Sequence, residues 1–223
     1  FFSTLKKANQ FSGGAAPAFL QTHPITSNRI SDIEDRLKDY PYKQRLGNQT
    51  FYYVKGKLKA LLGDKSNTKN ILEENIKNKI YINEAGERFA LAYIYLMDNE
   101  FIKSQEQIQW LFDNEQSNPM LSQLYINYLI KTNKVTEAKK LCIQNLNFFP
   151  SNRSFIFGLA DLYIRTQEIE KALKLLKKNE QKFSQDPILY NLYAKVYAKK
   201  GEKLLQYENL AEAAYYSFNL QEA

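Results

Sequence analysis

Leu91-Ala92-Tyr93-Ile94-Tyr95, Tyr125-Ile126-Asn127-Tyr128-Leu129, Leu159-Ala160-Asp161-Leu162-Tyr163 and Tyr193-Ala194-Lys195-Val196-Tyr197 fall in register when the sequence is stepped by 34 residues. Their second members, Ala92, Ile126, Ala160 and Ala194, form a small or medium apolar column. One residue earlier stand Leu91, Tyr125, Leu159 and Tyr193, and three residues later Tyr95, Leu129, Tyr163 and Tyr197, so both flanking columns are large and apolar or aromatic. Seven residues after the anchor come Asn99, Asn133, Gln167 and Gly201, of which three suit a turn. A second phase follows: Ser104, Ala138 and Ala172 twelve residues on, and Ile108, Cys142, Leu176 and Leu210 sixteen on. Two helices joined by a turn, repeated at this interval, account for every column.

The physical reason for such a pattern is close packing. Two antiparallel helices approach closely only where one offers a small side chain, and the large neighbour fills the adjacent groove. Each hairpin then leaves an apolar face that only the next hairpin covers. In these residues the chain resembles the tetratricopeptide repeat family over about residues 85–217, which implies an all-α solenoid of helical hairpins with an inner surface suited to holding another polypeptide. Ile126, where the family has a small residue, and Gln206, where it has Ala, depart from the pattern, and the helix over 202–217, rich in Ala211, Ala213 and Ala214, reads in two phases.

Working outward, Phe51, Val54, Leu58 and Leu61, then Ile71, Ile76 and Ile80, predict another helix pair of weaker signature. Gly13-Gly14, Pro17, Pro24 and Pro41 crowd the first fifth of the chain, and the composition shift near residues 41–47 predicts two modules, 1–42 and 47–223. The opening residues, with Phe2, Leu5 and Ala8 at helical spacing, and the closing Gln221-Glu222-Ala223 read as the middle and start of helices, as expected of a fragment of a longer protein.

Lys and Arg exceed Asp and Glu by 31 to 24, giving a net charge of +7, but the lysines are scattered as in Lys131, Lys134, Lys139 and Lys140, the pattern of a solvated face. No basic cluster interleaves with exposed aromatics, so nucleic-acid binding is not expected despite a pI near 9.2. No run of 18 apolar residues predicts a membrane span, and residues 1–20 lack the order of a signal peptide. The single cysteine, Cys142, excludes an internal disulfide, fits cytosol or bacterial periplasm, and sits on an apolar helix face as a buried structural thiol.

The first forty residues are not repeat-like. Ser27 suits an N-cap for a helix over 29–40 with Ile30, Ile33 and Leu37 as its stripe. The run Gly13-Gly14…Pro17…Phe19-Leu20…Thr22-His23-Pro24…Arg29-Ile30 resembles the end of the catalytic domain in bacterial zinc metallopeptidases of the H-E-x-x-H class, closest to the periplasmic β-barrel assembly-enhancing proteases, in which tetratricopeptide hairpins follow that domain. The resemblance implies zinc in the parent protein, a periplasmic location, and a role in outer-membrane protein assembly quality control. Zinc hydrolysis needs two histidines on one helix face, a third ligand and an open position for water. With one histidine the chain holds no such core and is expected to be inactive alone. His23 read from its residues is a hydrogen-bonded surface histidine. The resemblance places it beside the parent's zinc, where a neutral imidazole would take the water's position. Arg29 packs near that loop or lies on a helix surface.

The first helices of the hairpins predict a groove along the anchor column. Phe89, Tyr93 and Phe157 are its aromatic candidates, Asn127 its backbone-binding amide, and Lys131, Arg165 and Lys199 a basic ladder for carboxylates. A lysine-rich solvated surface explains the same ladder equally well. The function expected is a substrate- or partner-docking module of a zinc metallopeptidase, whose partners the resemblance makes the outer-membrane assembly machinery or misfolded envelope proteins. The alternative is a non-enzymatic adaptor or chaperone scaffold.

Overall fold

Side-chain caps that recur with the repeat start the helices. Asn83, Asn118, Asn152 and Asp186 each accept a hydrogen bond from a backbone N–H of the turn they precede, satisfying donors that have no partner inside the helix. Pro119 and Pro187 follow directly, with φ preset for a first helical position that needs no N–H. The computed structural model describes residues 35–36 and 48–218. The chain divides into two units, Phe1–Leu46 and Gly47–Ala223. Among its described residues the second unit holds ten α-helices: α1 Gln49–Leu62, α2 Lys65–Asn78, α3 Glu84–Met97, α4 Phe101–Asn114, α5 Pro119–Lys131, α6 Val135–Phe148, α7 Arg153–Arg165, α8 Ile169–Asn179, α9 Pro187–Lys200 and α10 Lys203–Tyr216, with a 3-10 turn at Gln181–Phe183. Among the described residues there is no strand, and no helix is long and apolar enough to cross a membrane. The metallopeptidase-like segment 1–42, apart from the helical pair Asp35 and Arg36, lies outside the described residues, as do His23 and Arg29.

All four members of the turn column adopt the left-handed conformation: Asn99, Asn133 and Gln167 at φ 62, 60 and 62°, Gly201 at 77°. The reversal is closed each time by one bond across six residues. The N–H of Glu100, Lys134, Glu168 and Glu202 donates to the carbonyl of Tyr95, Leu129, Tyr163 and Tyr197. Gln167 is thus the one member whose side chain does not suit the conformation that the turn demands.

The anchor columns are core. Ala92, Ile126 and Ala160 are fully buried, and so are their opposites on the second helix, Ser104, Ala138 and Ala172. Ser104 donates its hydroxyl to the carbonyl of Ala92 at 2.9 Å, so the polar member of a small-residue column enters the core with its bond made. Ile126 is accommodated opposite Ala138, both within one cluster running from Tyr53 to Leu162. A second cluster, from Ile156 to Val196, joins the last two hairpins. Cys142 is buried, and burial pushes its thiol up to about 12, as expected for a structural sulfur.

The helix pair expected before the repeats forms as α1 and α2, but two apolar sets picked out by spacing are not buried. The stripe Phe51, Val54, Leu58 and Leu61 is the exposed face of α1; its buried face is Tyr53, Gly56 and Ala60. The reason is backbone proximity: α1 crosses α3 at Gly56, where an added Cβ would stand 2.5 Å from the carbonyl of Gly86. Small residues rather than large ones therefore set the contact, and the apolar stripe is left outside it. Likewise, Leu210 is 39% exposed although its counterparts Ile108, Cys142 and Leu176 are buried. The register of α10 is nonetheless that of the other second helices, because buried Ala213 occupies the position of Leu111 and Asn145. Among the described residues no further hairpin covers Leu210.

Several of the scattered lysines tie neighbouring hairpins together. Lys59 pairs with Glu87 at 2.8 Å, Lys69 with Glu100 at 2.5 Å, and Lys139 with Glu168. Glu168 also accepts from Lys171 at 2.6 Å and from the Thr166 hydroxyl at 2.8 Å. Lys139 first, then Lys171 and Thr166, hold its carboxyl down at about 2.

Replacing Gln167 with Gly should stabilise the chain by about 1 kcal/mol, because the left-handed penalty of an L residue disappears at an exposed turn; a lower melting temperature would contradict this. Glu168 is depressed in the folded state, so its contribution is complete above the ordinary carboxylate range and is lost as pH falls through about 2. The melting temperature of Glu168→Gln should therefore lie furthest below wild type above about pH 5 and converge with it on acidification. A difference independent of pH would exclude the carboxylate's role.

Candidate functional site

The first helices of successive hairpins stand side by side, and their shared face encloses a pocket of about 180 Å³. Lys57 from α1, Phe89 and Tyr93 from α3, Met120, Gln123 and Asn127 from α5, and Asn152 and Ser154 at the start of α7 line it. Four hairpins thus contribute to one site, which a single hairpin could not build.

Two primary amides form its polar floor. Gln123 Nε2 donates to Asn127 Oδ1 at 3.1 Å, one helical turn away. The remaining oxygen, Gln123 Oε1, is buried and has no hydrogen-bond partner. Asn127 Nδ2 points to no acceptor within the described residues. Either way of pairing two side-chain amides leaves one acceptor and one donor over, which is the complement of a peptide group. A buried acceptor left unpaired costs roughly 1–3 kcal/mol, so this arrangement gains stability when a ligand N–H arrives.

Aromatic and cationic groups frame the amides. Lys57 Nζ lies 5.6 Å from the centre of the Tyr93 ring, and burial raises the Tyr93 phenol above its usual range, so it stays neutral and able to donate. Phe89 stacks on Tyr53 at 4.7 Å and, being 2% exposed, offers the pocket little surface. Asn152 is committed as a cap, accepting from the N–H groups of Ser154 and Phe155.

Of the residues read from the sequence as groove candidates, Phe89, Tyr93 and Asn127 come together here. Phe157 is a core residue packed against Phe183 at 5.1 Å with Arg153 over its ring. The basic ladder is largely consumed within the fold. Lys131 Nζ donates to the carbonyl of Leu96 at 2.9 Å and to Asn99 Oδ1, closing the C-terminal end of the preceding hairpin's first helix. Arg165 pairs with Asp161 at 2.6 Å, and Asp161 also binds Lys195 at 2.7 Å from the next hairpin. Lys199 is exposed on the last turn of α9, away from the pocket.

Gln123 is the pocket residue that sequence reading passed over. It stands three residues before its anchor, in the same column as Phe89 and Phe157. Aromaticity drew attention to those two, whereas the column's polar members, Gln123 and Asn191, were left aside. Among the described residues no group of three or more metal-ligating side chains exists.

A comparison with curated proteins gives no match. A family model does match, across residues 47–185, from the start of α1 to beyond the 3-10 turn. Its family is ChAPs, described as Chs5p-Arf1p-binding proteins. With more than half of its length matched by that model, the chain belongs to the ChAPs family.

Proposed function

We propose that the hairpin array is a docking module that holds an extended segment of a partner protein against the first helices of its hairpins. The observation that carries this is the unpaired, buried Gln123 Oε1 beside the uncommitted Asn127 Nδ2, a donor–acceptor pair matched to a peptide backbone. Tyr93, Met120 and Lys57 around it supply adaptable apolar and cationic contact for side chains on either side. A family described by the proteins that its members bind, Chs5p and Arf1p, supports a protein as the ligand.

The double variant Gln123→Leu/Asn127→Leu keeps side-chain bulk and removes both polar groups. Peptides selected from a displayed library on wild-type chain should bind this variant at least about tenfold more weakly, a loss near 1.4 kcal/mol, with a melting temperature equal to or above wild type because the unpaired acceptor is gone. Equal binding of those peptides by the variant would overturn the proposal.

A second reading gives the module an owner. The Thr22-His23-Pro24…Arg29-Ile30 run supports attachment to a zinc metallopeptidase of the periplasm, which would present misassembled outer-membrane proteins to its catalytic domain. On this reading His23 would be the residue of this chain that offers a neutral nitrogen to the parent's zinc, a ligand that would keep the catalytic water out. In the full-length parent, His23→Ala should raise basal proteolysis of an unfolded substrate while zinc content per chain stays the same. Unchanged proteolysis would remove the role assigned to His23.

A further inference from the structure

At two positions the last hairpin carries acid where the one before it carries base. Lys174 and Lys178 on α8 stand 34 residues before Glu208 and Glu212 on α10, so acid replaces base at equivalent positions of two successive second helices. These carboxylates border a pocket of about 360 Å³ between α8, α9 and α10, together with Glu180 at the end of α8. Among the described residues none of the three carboxylates makes an ion pair, although eight other acidic side chains engage lysines and arginines elsewhere in the array. Among the described residues Lys177 is the one cation on the pocket wall. In a chain of net charge +7 this is a local excess of negative charge.

The rest of the wall is tyrosine. Tyr190 stacks on Tyr216 with centroids 5.3 Å apart and planes 12° from parallel, and Tyr193 on Tyr197 at 6.2 Å and 22°. The Tyr190 hydroxyl donates to the carbonyl of Ser184 at 2.6 Å. The Tyr193 hydroxyl, in a residue only 4% exposed, has no hydrogen-bond partner. Burial, and then the charge of Glu180, which approaches the hydroxyl without closing a hydrogen bond, push the Tyr193 phenol above its usual range, so it is neutral. A buried polar atom without a partner, aromatic faces and unpaired carboxylates all favour the same kind of visitor.

We propose that this pocket binds the guanidinium of an arginine side chain on a partner polypeptide. A planar cation can lie against a tyrosine ring while its N–H groups reach Glu208, Glu212 and the Tyr193 hydroxyl, a match that a compact ammonium makes less well. The site shares no residue with the amide-floored groove, so it stands or falls independently of that groove's role.

The test is a nuclear magnetic resonance titration of the full chain with N-acetyl-arginine amide, its neutral citrulline analogue and tetramethylammonium. The arginine probe should give saturable shifts confined to α8–α10, and citrulline should give none. Glu208→Gln/Glu212→Gln should weaken arginine binding at least about fivefold, about 1 kcal/mol. Tyr193→Phe should weaken binding too, while leaving thermal stability the same or higher, a combination that a purely structural hydroxyl would not produce. Equal shifts from arginine and citrulline, or the absence of saturable shifts, would overturn the proposal. Tighter binding of tetramethylammonium than of the arginine probe would reassign the pocket to a small quaternary amine and overturn it as well.

Discussion

Close contact between helix backbones at small, fully buried side chains is the constraint from which the rest of the structure follows. Ala92 under Ser104, Ile126 facing Ala138 and Ala160 sharing a core with Ala172 hold each pair of helices together. Helices held this closely leave room for only short connections, and four turns meet that demand with one left-handed residue and one six-residue bond each. Identical turns and identical crossings make each hairpin present its first helix in the same direction. The side-by-side placement of α1, α3, α5 and α7 around the amide-floored pocket is the outcome. The site is therefore a product of repetition: its four contributing segments are far apart in sequence and come together because every repeat turns alike.

How much of this could be read from residues alone depended on whether a column served one purpose. Ala92, Ala160 and Ala172 serve packing only, and their periodicity is unambiguous. Asn99, Asn133 and Gly201 mark turns by residue type, and Gln167 joins them through its place in the column although its chemistry argues otherwise. The stripe on α1 misled because hydrophobic periodicity locates an apolar face without saying which neighbour meets it. Gly56 against Gly86, a contact with no side chains, decided that question instead. The caps Asn118, Asn152 and Asp186 were equally visible at the repeat interval, with Asn83 one residue out of step, and fix the helix starts more sharply than the apolar columns do.

The groove was half legible for a similar reason. Tyr93 and Asn127 share the column that follows the anchor, and helical geometry alone puts them on the exposed side. Lys131 and Arg165 share a column as well, yet the first closes the end of a neighbouring helix and the second pairs with Asp161. A long basic side chain near a helix C-terminus has carbonyls and carboxylates within reach, and sequence spacing carries no record of which it chooses. Gln123 was concealed by the opposite effect: its significance lies in a bond it does not make.

Cys142 occupies the middle of this array, on α6, sealed from solvent and with a thiol that stays protonated throughout the physiological range. As the chain's sole sulfhydryl, it reacts with an alkylating reagent only when the surrounding hairpins part. Its labelling rate is consequently a built-in clock for breathing at the array's centre, separable from fraying at either end, with no introduced reporter group.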